Sequence, residues 1–222
     1  MAHFGKYVRL NRLTTPCGRP LAASKTQYVM IKVIQILYKP THVFRQLDEM
    51  FEEDLDTNSH LIASVFGCLV GLYSVVFEFE NLNEILSGWL LIVVCLIGIL
   101  VSSGLCVLMY NYILTYILYG FGKILGSKGV LSDTRTAIVY AIIPITFAVL
   151  IALILKLIPE TSLDIKSQYW ILRITSNLIW IWTMTILAIG FKNLNKYGMF
   201  KAVINVLPLP VIGLIILAIR YL

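Results

Sequence analysis

The side chains able to carry chemistry are few and scattered. Glu52 and Glu53 stand in tandem, like the paired glutamates of some membrane proteases, but no Arg or His partner follows and they precede the first long apolar run. His3, His42 and His60 lie far apart. Neither H-E-x-x-H nor G-x-S-x-G occurs, so zinc-dependent and serine-type hydrolysis both lack their residues. Cys17, Cys68, Cys95 and Cys106 form no C-x-x-C pair and no Cys/His cluster, which points to neither a disulfide framework nor a metal centre. The stretch from Gly120 through Gly122, Gly126 and Gly129 is glycine-rich, but its third glycine comes one residue late for G-x-G-x-x-G and no strand precedes it. It reads as a turn between helices. No catalytic, cofactor-binding or metal-binding residue is expected, and the chain reads as non-enzymatic.

One polar run interrupts an apolar segment: Arg173, Thr175, Ser176 and Asn177. With Asn111, Ser102 and Ser103 facing it, this run would make a polar seam, serving either as a substrate path or as interhelical hydrogen bonding. An arginine at the bilayer centre costs roughly 2.5–3.5 kcal/mol on the insertion scale. Arg173 sits near the end of its run, where snorkelling relieves that cost.

These residues are set in a chain of 222 residues, 59% hydrophobic and 14% charged, with mean hydropathy +0.84. Soluble domains are about half apolar and about a quarter charged. Apolar runs fall at about 61–79, 88–118, 134–157, 169–191 and 203–221. They are continuous rather than alternating, so helices and not a barrel satisfy their backbone in lipid. The expected fold is all-α: a polytopic membrane bundle of five transmembrane helices (61–222), preceded by a cytosolic segment (1–60) with interfacial amphipathic helices.

Charge placement orients the bundle. Lys and Arg crowd residues 1–60, the 119–135 loop (Lys123, Lys128, Arg135) and the 192–201 loop (Lys192, Lys196, Lys201), whereas the loop from Glu78 to Glu84 has none. Positive loops stay in the cytoplasm, so the N-terminus is expected inside and the C-terminus outside. The same rule explains the net charge of +6 without nucleic acid as a partner. The first 20 residues lack an apolar core for a signal peptide, so the first span is expected to act as an uncleaved insertion signal.

Residues 1–27, polar and basic, are expected to be loosely ordered. Residues 28–39 read as an interfacial helix. Pro40 opens an amphipathic helix over 41–53, its apolar face Val43, Phe44, Leu47, Met50 and Phe51. That helix either lies on the membrane surface or packs on the ends of the spans. Glu52 to Asp56 read as a solvated connector. The second run, roughly 46 Å long at about 1.5 Å per residue, is too short for two crossings and too long for one, even tilted. Its end should project into the cytoplasmic interface, where Tyr110, Tyr112, Tyr116 and Tyr119 with Asn111 make an aromatic belt. Ser132-Asp133 should cap the third span, and Pro144, Pro208 and Pro210 should break their helices. Gly67-x-x-x-Gly71 is a helix-packing motif.

The order of features resembles the Yip domain family, the Ypt/Rab-interacting five-span membrane proteins. Tyr140-Ala141-Ile142-Ile143-Pro144 follows the glycine stretch. Trp182 to Gly190 leads into Phe191-Lys192-Asn193-Leu194-Asn195-Lys196-Tyr197-Gly198-Met199-Phe200-Lys201-Ala202, and a final span follows. Pro40-x-x-x-Phe44 is similar to the segment ahead of the spans in prokaryotic members. The resemblance covers about residues 35–222. Pro40, Phe44, Gly120, Gly122, Gly126, Tyr140, Pro144, Gly190, Lys201 and Ala202 are its motif positions. It implies a cytosolic N-terminus, five spans and, for eukaryotic members, ties to Rab GTPases and vesicle traffic. The D-L-Y-G-P motif of those members appears here as Leu37-Tyr38-Lys39-Pro40, and their G-Y as Val139-Tyr140. These departures argue against a Rab-type GTPase partner and for a prokaryotic-type member in a bacterial inner membrane, the alternative being the ER or Golgi. The function expected is a membrane scaffold or adaptor, or an accessory to an export system. Its partners would be the lipid bilayer and a membrane protein or a second copy. The alternative is a small transporter or channel using the Arg173–Asn177 seam.

Overall fold

A computed structural model describes residues 33–157 and 165–211; the first 32 residues, the 158–164 connection and the final residues 212–222 lie outside the described part. The expected loose order over 1–27, the start of the 28–39 interfacial segment and the end of the last run fall there. The described residues contain helices and turns and no strand.

Helix α1 spans Pro40–Asp48 and opens on its proline. Pro40, Val43, Phe44 and Leu47 are buried, the i, i+3, i+4, i+7 stripe of an amphipathic helix. Of the two placements open from sequence, the structure shows the packed one: this stripe belongs to the main core, alongside residues of the long helices.

Helix α2 runs Glu52–Ile85. Here the sequence reading needs correction. The acidic stretch is no connector but the first turn of α2, where Glu52, Glu53 and Asp54 meet the positive end of the helix dipole. Leu55 is buried in the core.

Next comes a rod of 36 residues, Trp89–Ile124. It comprises α3 (Trp89–Val107), a π-helical turn (Leu108–Ile113) and α4 (Leu114–Ile124). At about 1.5 Å per residue it is roughly 54 Å long, well beyond the hydrocarbon thickness of about 30 Å. Gly120 and Gly122 lie inside α4 rather than in the expected turn. The turn starts at Leu125 and continues through Gly126, whose φ of +86° suits glycine. The Ser127 N–H reaches the Gly122 carbonyl at 2.9 Å and the Gly126 N–H that of Lys123 at 3.0 Å, a Schellman closure.

Helix α5 (Leu131–Ala141) begins one residue before the expected cap. Asp133 sits inside its first turn and its carboxylate accepts the Val130 N–H at 2.9 Å. A turn at Ile142 separates α5 from α6 (Ile143–Leu157). Pro144 offers no N–H to the carbonyl four residues back, so the ladder breaks there. Helix α7 spans Ile165–Leu194 and α8 Met199–Val206, with a turn at Leu207 ahead of Pro208.

Among the described residues, four helical stretches are long and apolar enough to cross a bilayer: Glu52–Phe79, Trp89–Ile124, Leu131–Lys156 and Arg173–Leu194. Met199–Val211 is a shorter apolar piece, cut off where the described residues stop. Only 6% of the apolar window of the α3–α4 rod is buried in the protein. Its outward Ile92, Leu100 and Val101 would be unsustainable in water and are at home in hydrocarbon. The chain is an all-helical membrane bundle. Its core gathers at one end, where α1, the start of α2, α5 and the end of α7 meet.

Candidate functional site

The polar residues of the bundle collect at that same end. The run Ser132-Asp133-Thr134-Arg135-Thr136 heads α5, and all five are buried. Burying such a run requires a partner for each polar group, and α2 and the π-helical turn supply most of them. Arg135, 9% exposed, pairs with Asp56 Oδ1 at 2.8 Å. Its Nε donates to the Asn111 carbonyl at 3.2 Å, and its guanidinium lies 5.7 Å from the Tyr112 ring centroid. Ser132 donates to Glu52 Oε1 at 2.9 Å, and the Ser59 and Thr136 hydroxyls meet at 3.5 Å. Asn111 is fully buried, its Nδ2 3.0 Å from His60 Nδ1, which fits donation to an imidazole protonated on Nε2.

The π-helical turn makes this geometry possible. Its wider ladder turns carbonyls away from their helical partners, and the carbonyls of Tyr110 and Asn111 both take side-chain donors: Thr115 Oγ1 at 2.7 Å and Arg135 Nε. Glu52, Asp56, Ser59 and His60 stand at positions i, i+4, i+7 and i+8, so one face of α2 serves the whole cluster.

Beside it, α1 is keyed to α7. A Cβ at Gly190 would stand 2.9 Å from Phe44 Cζ and 3.0 Å from Ala137 Cβ, so glycine makes the notch that admits the phenyl ring. Phe44 packs edge-on to Tyr140, with centroids 6.4 Å apart. Asp48 reaches Lys196 at 3.7 Å.

The turns after α4 and α7 complete this end. A Cβ at Gly129 would overlap Asn195 Oδ1, and the Asn195 carbonyl accepts the Lys128 N–H at 3.2 Å. The Tyr197 hydroxyl accepts Asn205 Nδ2 at 2.5 Å and Asn195 Nδ2 at 3.3 Å. Burial pushes this hydroxyl above the ordinary tyrosine value, and the two amides pull it part of the way back. Lys201 Nζ donates to the Leu125 carbonyl at 2.9 Å, and Lys123 Nζ to those of Gly129 at 3.0 Å and Ser127 at 3.3 Å.

Of the residues singled out from sequence, Pro40, Phe44, Tyr140, Pro144, Gly190 and Ala202 are buried. Gly122 meets Asn205 Nδ2 at a Cβ distance of 3.0 Å, while a Cβ at Gly120 would meet nothing. Gly67 and Gly71 face α3: their Cβ positions fall 2.6 Å from Ser103 Cα and 2.8 Å from Ile99 Cα. Asn111 joins His60 and Arg135, whereas Arg173, Thr175, Ser176 and Asn177 are exposed on α7. Gly190 faces Ala137, so Arg173 lies about 25 Å back along α7 from the level of α5's first turns. The seam is thus divided, because its members occupy different levels of the bundle.

Sequence reasoning passed over Asp56, Arg135 and Asn205. Arg135 looked like one more loop cation, and Asp56 like solvated charge. The available signal was the polar run 132–136 directly abutting an apolar one. Among the described residues no group of His, Cys, Asp and Glu is arranged to hold a metal ion.

The family model for the Yip1 domain matches residues 34–220. No match was found among curated proteins or among solved structures.

Proposed function

This chain belongs to the Yip1 domain family, and on that premise we propose that it is a non-enzymatic membrane scaffold or adaptor working through the end of the bundle that carries α1. The observation behind this reading is the Arg135 cluster. Its charge and its Nε are engaged by Asp56, the Asn111 carbonyl and the Tyr112 face, in contacts that tie helices to one another. A polar core of that kind suits a rigid platform.

The positive-inside rule places this platform in the cytoplasm, with the N-terminus inside and the C-terminus outside. Around it stand Lys123, Lys128, Lys192, Lys196 and Lys201, all exposed. Another membrane protein or a second copy is the partner such a surface serves. A bacterial inner membrane is the proposed location, and a Rab-type GTPase is not the proposed partner.

Site-specific photocrosslinking tests the reading. A photoreactive residue at exposed Arg45, Lys128 or Lys192 in native membranes should yield a discrete adduct with one partner, and Arg135→Ala should abolish it. If all three positions give no protein adduct, the reading falls. The transport alternative has less support, because Arg173 to Asn177 stand apart from Asn111 and are exposed. Flux through the purified protein in liposomes that is lost on Arg173→Ala would restore it.

A further inference from the structure

A groove on the flank of the bundle has no part in the polar cluster. It encloses about 760 Å³ between α2, the α3–α4 rod and the stretch after α8. That volume lies within the usual range of small-molecule sites. Gly71, Ser74, Ser102, Leu105, Ile117 and Leu209 are among the residues that line it.

Helices α4 and α8 lead from this groove to a pair of cations. The two helices run in opposite directions past the contact between Gly122 and Asn205. Toward the α1 end, the residue after Gly122 is Lys123, and Lys201 stands one turn before Asn205. Both ammonium groups rest on the single turn from Leu125 to Gly129. Their bonds there are to carbonyls rather than carboxylates, so neither positive charge is neutralised by them. An ammonium has three N–H groups, and these bonds use one from Lys201 and two from Lys123. Leu125 lies about 12 Å along the helix from Ile117. The headgroup zone is about 5–8 Å deep on each side of the hydrocarbon. A lipid whose chain follows the groove past Ile117 toward Leu125 would bring its phosphate to the level of this turn.

We propose that the groove and the lysine pair form one site for an anionic glycerophospholipid. An acyl chain lies between Ser102 and Ile117, and the phosphate meets Lys123 and Lys201. A helix from a second copy would cover the apolar walls but leave two unmatched ammonium groups at the end of the groove. The site shares Lys123 and Lys201 with the rim of the proposed platform but does not depend on the scaffold reading.

Native mass spectrometry of the purified full chain, titrated with phosphatidylglycerol or phosphatidylcholine, tests the site. One phosphatidylglycerol should be retained in preference to phosphatidylcholine by about tenfold or more, given the attraction of two lysines. High salt should erase that preference in the unaltered protein. Lys123→Gln with Lys201→Gln should remove the preference while chain binding persists. Leu105→Trp, at a half-exposed wall position, should displace both lipids. Equal retention of the two lipids by the unaltered protein overturns the proposal, as does a preference that the lysine variants leave unmoved. Efficient crosslinking of Leu105→Cys to a second copy in native membranes would show that a helix fills the groove, and would overturn it as well.

Discussion

Arg135 Nε donates to the main-chain carbonyl of Asn111 at 3.2 Å, so the first turns of α5 are tied to the π-helical turn of the rod. The same guanidinium holds Asp56 of α2 at 2.8 Å. One side chain thus joins three helices that are distant in sequence. Arg135→Ala should cost about 1–3 kcal/mol, less than a fully buried pair because the Asp56 side chain is 38% exposed. Arg135→Lys should recover part of that loss, since a lysine supplies charge without the fixed fork that reaches both acceptors. Chemical unfolding in mild detergent, extended to an Arg135/Asp56 double-mutant cycle, measures the coupling. Strict additivity would show that the pair contributes nothing.

The notch at Gly190 makes a second prediction. Gly190→Leu should expel the Phe44 ring and release α1, because Phe44 Cζ and Ala137 Cβ stand 2.9 and 3.0 Å from a Cβ there, already inside van der Waals contact. The loss should be about 1–3 kcal/mol, in line with overpacking elsewhere. Trypsin cleavage after exposed Arg45 reports release of α1 directly. Phe44→Ala should raise the same cleavage from the other side of the contact, and no change in either variant would rule out the keyed arrangement.

Tyr197 gives a pH prediction. Its hydroxyl binds its proton more tightly in the folded protein than the ordinary value of 10.0. The associated stability is complete below pH 10 and is lost as pH rises through the higher folded value. Tyr197→Phe should therefore flatten the alkaline fall in stability while lowering stability at neutral pH, since two amides lose their acceptor. Thermal melts of both proteins across alkaline pH would show it. Parallel curves would contradict the assignment.

Gly67 and Gly71 yield a fourth expectation. Gly67→Leu should unfold or misassemble the bundle, because its Cβ would fall on the backbone of α3 at Ser103. Gly120→Leu should be tolerated, since a Cβ there meets nothing within 4 Å. Size-exclusion profiles and helical circular dichroism separate the two. A well-folded Gly67→Leu protein that merely changes oligomeric state would place the motif on an outer surface.

Apolar length carried most of the fold into the sequence. The long runs mark the helices because lipid leaves a backbone no other way to satisfy itself. The stripe Val43, Phe44, Leu47 likewise marked α1 without naming its neighbour, since amphipathicity specifies a face and not what covers it. The polar cluster was hidden for a related reason. Asp56 and Arg135 look like solvated charges in any local window, and only their meeting across α2 and α5 makes them a buried pair. Asn111 and the tyrosines beside it stood out from the apolar run, but their polarity does not announce that the helical ladder widens to a π-helical turn over Leu108–Ile113. Arg173 to Asn177 stood out as polar in an apolar run, yet polarity along a helix carries no information on the level at which another helix presents its own polar groups.

The Asp56–Arg135 pair also imposes an order on biosynthesis. The carboxylate leaves the ribosome 79 residues before the guanidinium does. At about 5–20 residues per second it waits about 4–16 s for its counter-charge. Throughout that interval α2 is a membrane-inserting helix with an acidic, still unneutralised first turn, and α5 cannot seat its arginine until α2 is in place. The contact between α2 and α5 is thus among the later ones that synthesis allows to form.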